Sequence, residues 1–380
     1  MNKWLGWFLV FLFFSLALIS VFFGNKIRSL DIKMLTPTQT LKPTEPVGQA
    51  RITVVAENLE IPWGLAFLPD GSILFTERPG RVRLISKEGS LRQQPIATIS
   101  DVKPIGEGGL LGIAVNPEFE KNNFIYFYYT YENNNGDTKN RVVRYKFESD
   151  SLTDRKIIVD GISGNSNHDG GRIKFGPDGL LYITTGDSEN PSYAQDLSVF
   201  AGKILRVVDP STSSGQVKNE IYSYGHRNPQ GVAWDDRGRL WATEHGRSVP
   251  LSGFDELNLI EKGKNYGWPT IQGDQGKDGM VIPVINSGAT TTWAPSGAAF
   301  YQGSIFFGGL RGQGLYEAVI SGNTATLKKH LDGELGRIRD VVLGPDNMLY
   351  ITTSNRDGRG TPKQNDDKIL KIDPQRLQKE

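Results

Sequence analysis

Six stretches of this chain repeat one pattern, and that repetition restricts its folding more than any other feature. They are "WGLAFLPDGSILFTER" from Trp63, "GLLGIAVNPEFEKNNFIYFYYT" from Gly109 and "GRIKFGPDGLLYITTGD" from Gly171, then "QGVAWDDRGRLWATEHG" from Gln230, "SGAAFYQGSIFFGGLRG" from Ser296 and "IRDVVLGPDNMLYITTS" from Ile338. Each reads as a strand, a tight turn carrying Pro-Asp-Gly or its equivalent, and a second apolar strand. The copies recur about every 45–65 residues, the spacing of propeller blades with variable loops. A β-sandwich of many hairpins would not put the same turn chemistry at the same point of each hairpin. The expected fold is therefore all-β, a six-bladed β-propeller over residues 50–380. No long pattern of period 3.6 interrupts it, so helices are expected to be short or absent.

Ahead of the repeats, Trp4 to Gly24 is free of charge and almost wholly apolar. About 20 such residues span a bilayer as a helix. Phe22-Phe23-Gly24-Asn25 lacks the small-residue pattern of a cleavage site, which favours an uncleaved anchor over a cleaved signal. Residues 1–25 are read as this single N-terminal transmembrane or signal helix, and the Pro/Thr-rich residues 26–49 as a linker. Lys26, Arg28 and Lys33 follow the apolar segment and only Lys3 precedes it, so charge alone would put the domain in the cytoplasm. An export reading puts it outside.

The composition excludes several chemistries. With no cysteine in 380 residues, a disulfide scaffold, a thiolate metal site and a cysteine nucleophile are ruled out. A formal net charge of +1 gives no electrostatic case for nucleic acid. Any redox step needs a bound cofactor or a metal held by nitrogen and oxygen.

In a propeller, residues just before an inner strand face the funnel at one end of the channel. His168 and Arg172 take that position in the third copy, and Asp187 closes the same hairpin. Gly170 and Gly171 are read as giving a ligand access to His168. The fourth copy brings His226, Arg227 and Asn228, the fifth Arg311, and the sixth Arg337 and Arg339, which share a strand face. Any one of these could be a turn residue or a blade-edge ion pair. Their convergence on one funnel implies an anionic ligand. Glu244, Asp255, Glu256 and Asn258 follow the fourth copy and suit a hard cation such as Ca²⁺. Tyr266 and Trp268 could stack on a flat ligand or pack their loop. His226 and His245 are read as orienting loops, and His330 as a surface residue without a role.

With these residues in view, the sequence resembles the soluble quinoprotein glucose/sorbosone dehydrogenase family, which includes aldose sugar dehydrogenases. The resemblance runs from about residue 52 to about 373, through "GEGGLLGIAVNP", "NHDGGRIKFGPDGLLYITTGD", "GKILRV", "YSYGHRNPQG", "NYGWP" and "GRIRDVVLGPDNMLYITTS". It implies a propeller that binds pyrroloquinoline quinone (PQQ) and calcium and oxidises aldoses at C1 to lactones. It implies His168 as general base, Asp187 as its supporting carboxylate, and Arg227 and Asn228 beside the reacting quinone carbonyl. Arg311, Arg337 and Arg339 match positions that hold the cofactor's carboxylates, and Tyr266 matches a cofactor-contacting tyrosine. Cofactor calcium is implied at the main-chain carbonyls of Gly246 and Arg247. Two departures stand out: Glu107 replaces a common Gln in the cofactor site, and "RSVPLSGF" lengthens the loop after Gly246.

The implied protein is periplasmic, anchored to the inner membrane, and passes electrons from a sugar to an external quinone or cytochrome. Two other readings predict different behaviour. A calcium-dependent lactonase would ring a metal in the channel with carboxylates and amides, and a non-catalytic propeller would bind a glycan or protein at the funnel.

Overall fold

The computed structural model describes residues 52–208, 218–248 and 253–378. The segments read as anchor and linker lie outside them, as do residues 249–252 of the lengthened loop. Among the described residues no helix is long and apolar enough to cross a membrane.

The described chain forms six four-stranded antiparallel sheets, the blades of a propeller. Their inner strands are Pro62–Phe67, Leu110–Val115, Ile173–Phe175, Pro229–Trp234, Pro295–Tyr301 and Ile338–Leu343. Each of the six repeated stretches supplies the inner two strands of one blade. Blades one to five are built from consecutive strands. The sixth takes its outermost strand, Ile52–Ala56, from the start of the domain and pairs it with Ile369–Ile372, so the two ends of the domain close the ring. The described helices are single turns, such as Phe119–Asn122 and Pro374–Leu377.

Turn chemistry sets the hairpins. Asp70, Asp178 and Asp346 each accept the backbone N–H two residues on, at Ser72, Leu180 and Met348. The residue between, Gly71, Gly179 or Asn347, has positive φ, where glycine and asparagine are least strained. In blade four the carboxylate comes two positions earlier in the hairpin: Asp235 accepts from Arg237 N and Arg239 N, and Gly238 has the positive φ. Between the blades, aromatic side chains such as Tyr126, Phe127, Trp241 and Phe306 are fully buried, and this burial supplies most of the folding force.

Around the channel the inner strands approach closely, and glycine makes room. A Cβ at Gly112 would collide with the Gly171 carbonyl of the next blade, and one at Gly297 with the Asp340 carboxylate. Asp340 lies at the centre of the channel. It accepts from Leu65 N at 3.1 Å, from Val341 N at 3.0 Å and from Arg172 at 2.9 Å, tying blades one, three and six together. Gly297→Ala should therefore cost about 1–3 kcal/mol by overpacking, read as a lower urea midpoint; an unchanged midpoint would contradict this account of the channel.

Candidate active site

His168 ends a loop that leads into the inner strand of blade three, and its own φ is +60°. The two glycines after it fit the blade rather than a ligand. A Cβ at Gly170 would stand 2.6 Å from the Thr184 carbonyl, and one at Gly171 would press on Leu111 and Trp63. That corrects the expectation that they open a path to His168. The loop folds so tightly that Gly186, on the second strand's exit, could not carry a Cβ without striking the His168 carbonyl.

This close fit brings His168 Nδ1 to 2.7 Å from Asp187 Oδ1. Asp187 is fully buried and also accepts from Glu189 N at 2.9 Å and from the Trp268 indole at 2.8 Å. A carboxylate with two other donors pointing at it takes the proton-bearing nitrogen of the imidazole, so His168 keeps its lone pair on Nε2. The side chain is 15% exposed, on the wall of a cavity of about 690 Å³.

Arg227, Arg247, Arg311, Arg337 and Arg359 also face this cavity. Arg227 is held by Ser248 Oγ at 2.8 Å, by the His245 carbonyl at 3.4 Å and over the Trp268 ring. Burial lowers its pKa from the ordinary arginine value. Arg337 puts two nitrogens on Asp357 Oδ2, at 2.9 and 2.8 Å. His245 borders the cavity with a buried Nε2 that has no partner, and burial pushes it down to about 4, so it is neutral near pH 7.

Several expected site residues lie elsewhere. Arg172 is spent on Asp340 and stacks over Trp63. Arg339 shares the face of Arg337 but lies deeper, bonded to Gln230 at 2.5 Å and 4.0 Å from Asp357. Burial pushes its pKa down to about 9. The funnel is thus less cationic than its arginine count suggests. Asn228 is fully buried behind the wall, where Oδ1 accepts Gly170 N at 3.0 Å and Nδ2 has no partner. Tyr266 does not reach the cavity: its hydroxyl donates to the Leu259 carbonyl at 2.6 Å and its ring stacks on His226. His330 is buried against Glu317 at 2.9 Å, not at the surface.

The acidic residues after blade four do not form the expected metal cage. Among the described residues no group of three or more histidine or acidic side chains is placed to hold a metal. Asp255 has its oxygens filled by Gly246 N, Trp293 N, Ala294 N and Thr292 Oγ1. Glu244 accepts from His226, from Arg227 N and, at 3.4 Å, from Asn258. Glu256 accepts from Asn258 at 3.0 Å. Gly246 and Arg247 border the cavity as expected, and the Arg247 carbonyl accepts Gly253 N at 3.3 Å.

Burial, then the neighbouring Glu244, push Glu256 up to about 8 from an ordinary 4.5. Between those values the folded chain keeps a proton that the unfolded chain has released, so stability falls as pH rises through that window. Glu256→Gln should flatten the decline. In calcium-free buffer its Tm relative to the parent should rise by several degrees between about pH 5 and about pH 9; a constant difference would contradict this.

Glu107, the departure noted in the sequence, accepts His168 N at 3.2 Å and is ion-paired with Arg359. Arg359, Asp357 and the cavity-facing side of His245 were not anticipated. The signal was present: the loop after each blade's second strand carries Asp187 in blade three and His245 to Arg247 in blade four. The matching loop of blade six, "NRDGRG", carries Asp357 and Arg359.

The model of the Glucose / Sorbosone dehydrogenase family matches residues 59–364. Aldose sugar dehydrogenase YliI of Escherichia coli is 32% identical over 85% of this chain and 92% of its own length. Quinoprotein glucose dehydrogenase B of Acinetobacter calcoaceticus is 32% identical over 67% of this chain and 59% of its own. The PQQ-bound structure of aldose sugar dehydrogenase from Streptomyces coelicolor superposes with a TM-score of 0.77 at 37% identity, covering 87% of this chain and 99% of that one.

Proposed function

The chain belongs to the glucose/sorbosone dehydrogenase family and is an oxidoreductase, a sugar dehydrogenase of the PQQ type; from that premise we propose that it oxidises aldoses at C1 to lactones, dependent on PQQ and calcium. The observation that carries the reading is the His168–Asp187 pair on the wall of an arginine-lined cavity. PQQ is a flat tricarboxylate, and Arg227, Arg311 and Arg337 offer it cations from three blades. The unpartnered Nε2 of His245 suits a polar ligand in the same place. The carboxylates of Glu244, Asp255 and Glu256 do not fit a cation in their present bonding. The main-chain carbonyls of Gly246 and Arg247, which the family resemblance implies as calcium ligands and whose residues border the cavity, would supply part of the ion's oxygen shell.

When bound, PQQ supplies the two-electron acceptor for the C1 hydride. His168 Nε2, free of the Asp187 bond, takes the proton of the anomeric hydroxyl. Asp187 holds Nδ1–H in place and stabilises the imidazolium that forms. Arg227, buried and fixed at both ends of its guanidinium, offers positive charge to oxygen that becomes negative.

Dye-linked aldose oxidation that needs both added PQQ and Ca²⁺ supports this reading. Lactone hydrolysis without PQQ would replace it with a lactonase, and sugar binding without turnover in the presence of PQQ with a binding propeller. The lactonase is the less suited, because Arg172–Asp340 and Arg339–Gln230 fill the channel below the cavity. The length and apolarity of residues 4–24 support a membrane anchor; an inner-membrane anchor, with the propeller in the periplasm and an external quinone or cytochrome as electron acceptor, rests on the family resemblance, against the charge bias around that segment. Protease digestion of the propeller in intact spheroplasts tests that placement; protection would contradict it.

A further inference from the structure

Arg359 stands at the tip of the blade-six loop that carries Asp357, between Gly358 with φ of +88° and Gly360. Asp357 fixes this turn from below. Its Oδ1 accepts Arg359 N at 2.9 Å, and its Oδ2 accepts Ser354 Oγ and Arg337. One carboxylate therefore sets both the cavity arginine and the base of the Arg359 side chain.

From there Arg359 crosses the mouth of the cavity to two other blades. One guanidinium nitrogen bonds Glu107 Oε1 in the loop before blade two, and another bonds Asn167 Oδ1 at 2.6 Å in the loop before blade three. Glu107 uses its second oxygen on His168 N, and its own N–H donates to the Ser166 carbonyl at 2.7 Å. Both bonds of the Arg359 fork thus end on the strand of chain that holds His168, one directly at its neighbour and one through Glu107.

The charge balance points the same way. Burial alone would raise the Glu107 pKa, yet facing cations hold it at about 2. The groups that face it are Arg359 and Arg339 from blade six, Arg78 from blade one, Arg227 and His245 from blade four, and His168 and the like-charged Asp169 from blade three. Among these, Arg359 alone is bonded to the Glu107 side chain through its own side chain. A bare carboxylate here would repel an anionic ligand, and a buried carboxylate stripped of its partner is costly.

We propose that Arg359 is a positioning residue for the base. Through Glu107 and Asn167 it fixes the main chain at His168, and it cancels the carboxylate charge that an anionic cofactor would otherwise meet. An amide at position 107 would accept His168 N–H without needing a counter-cation, so Glu107→Gln should make Arg359 largely dispensable. Lysine at 359 keeps the charge but cannot bond Glu107 and Asn167 as a fork.

Two readouts test this, and only the second rests on the function proposed above. First, hydrogen exchange of the free protein follows the amides from Asn165 to Asp169. Arg359→Ala should speed exchange at His168 by about tenfold or more, with Arg359→Lys intermediate; parental rates in Arg359→Ala would overturn the tether. Second, PQQ is titrated in Ca²⁺ buffer from about pH 5 to about pH 8. Arg359→Ala should bind about tenfold more weakly across this range. The double variant Glu107→Gln/Arg359→Ala should bind within about threefold of the parent at every pH. Parental affinity in Arg359→Ala, or a double variant as weak as Arg359→Ala, would overturn the charge role. Failure of the parent itself to bind PQQ would count against the function, and the exchange experiment would still decide the tether.

Discussion

His168→Ala should abolish measurable sugar oxidation, with kcat about 10²–10⁴-fold lower, while PQQ affinity stays within about threefold of the parent. The separation follows from where the side chain stands. His168 faces the cavity with one nitrogen and is tied behind to Asp187 by the other, so it holds no cofactor charge. The cations that would hold the cofactor, Arg227, Arg311 and Arg337, come from blades four to six, and Arg227 and Arg337 are anchored without His168. The main-chain N–H of residue 168 survives the substitution, so the bond to Glu107 persists. Dye-linked kinetics and a binding titration on the same preparation check both halves. Retained turnover would remove His168 as the base, and lost binding would mean that it holds the cofactor.

Asp187→Asn should be nearly as damaging, with kcat down about 10²–10³-fold at nearly constant KM. The carboxylate accepts three N–H groups, from His168, Glu189 and Trp268. An amide offers one acceptor oxygen and one donor nitrogen. Turning the nitrogen to His168 forces the proton onto Nε2 and removes the base; turning it to Trp268 sets two donors against each other. Either arrangement leaves a buried donor unpaired, at about 1–3 kcal/mol of stability. The tautomer gives an independent readout: ¹⁵N shifts of the imidazole should place the proton on Nδ1 in the parent, and in the variant they distinguish the two arrangements, with the proton on Nε2 when the amide nitrogen faces His168 and on Nδ1 when it faces Trp268. Full activity in Asp187→Asn would show that Asp187 only packs the loop.

The ring of blades was legible because its signal is local. Asp70, Asp178, Asp235 and Asp346 each write their own turn, and the apolar runs around them write the inner strand pair. The closing strand Ile52–Ala56 carried no such signal, since it pairs with residues more than 300 positions away. The site divides along the same line. His168 and Asp187 flank one hairpin and could be joined by reading it. Arg172 and Arg339 looked like site residues because their partners, Asp340 and Gln230, arrive from other blades. Asp255 looked like a metal ligand because three of the four donors that fill its oxygens lie 37 to 39 residues downstream. Glu107 stood out as a departure in the cofactor site for the same reason: its counter-charge, Arg359, is 252 residues away.

One experiment tests the PQQ-dependent oxidation of aldoses most directly: a visible-absorption titration of the purified protein with PQQ in the presence of Ca²⁺, followed by addition of an aldose. The predicted result is saturable binding at micromolar PQQ or below, then loss of the oxidised-quinone absorption on adding sugar, with binding but no such loss in His168→Ala. Absence of binding at micromolar PQQ, or a bound quinone that no aldose reduces, would contradict it.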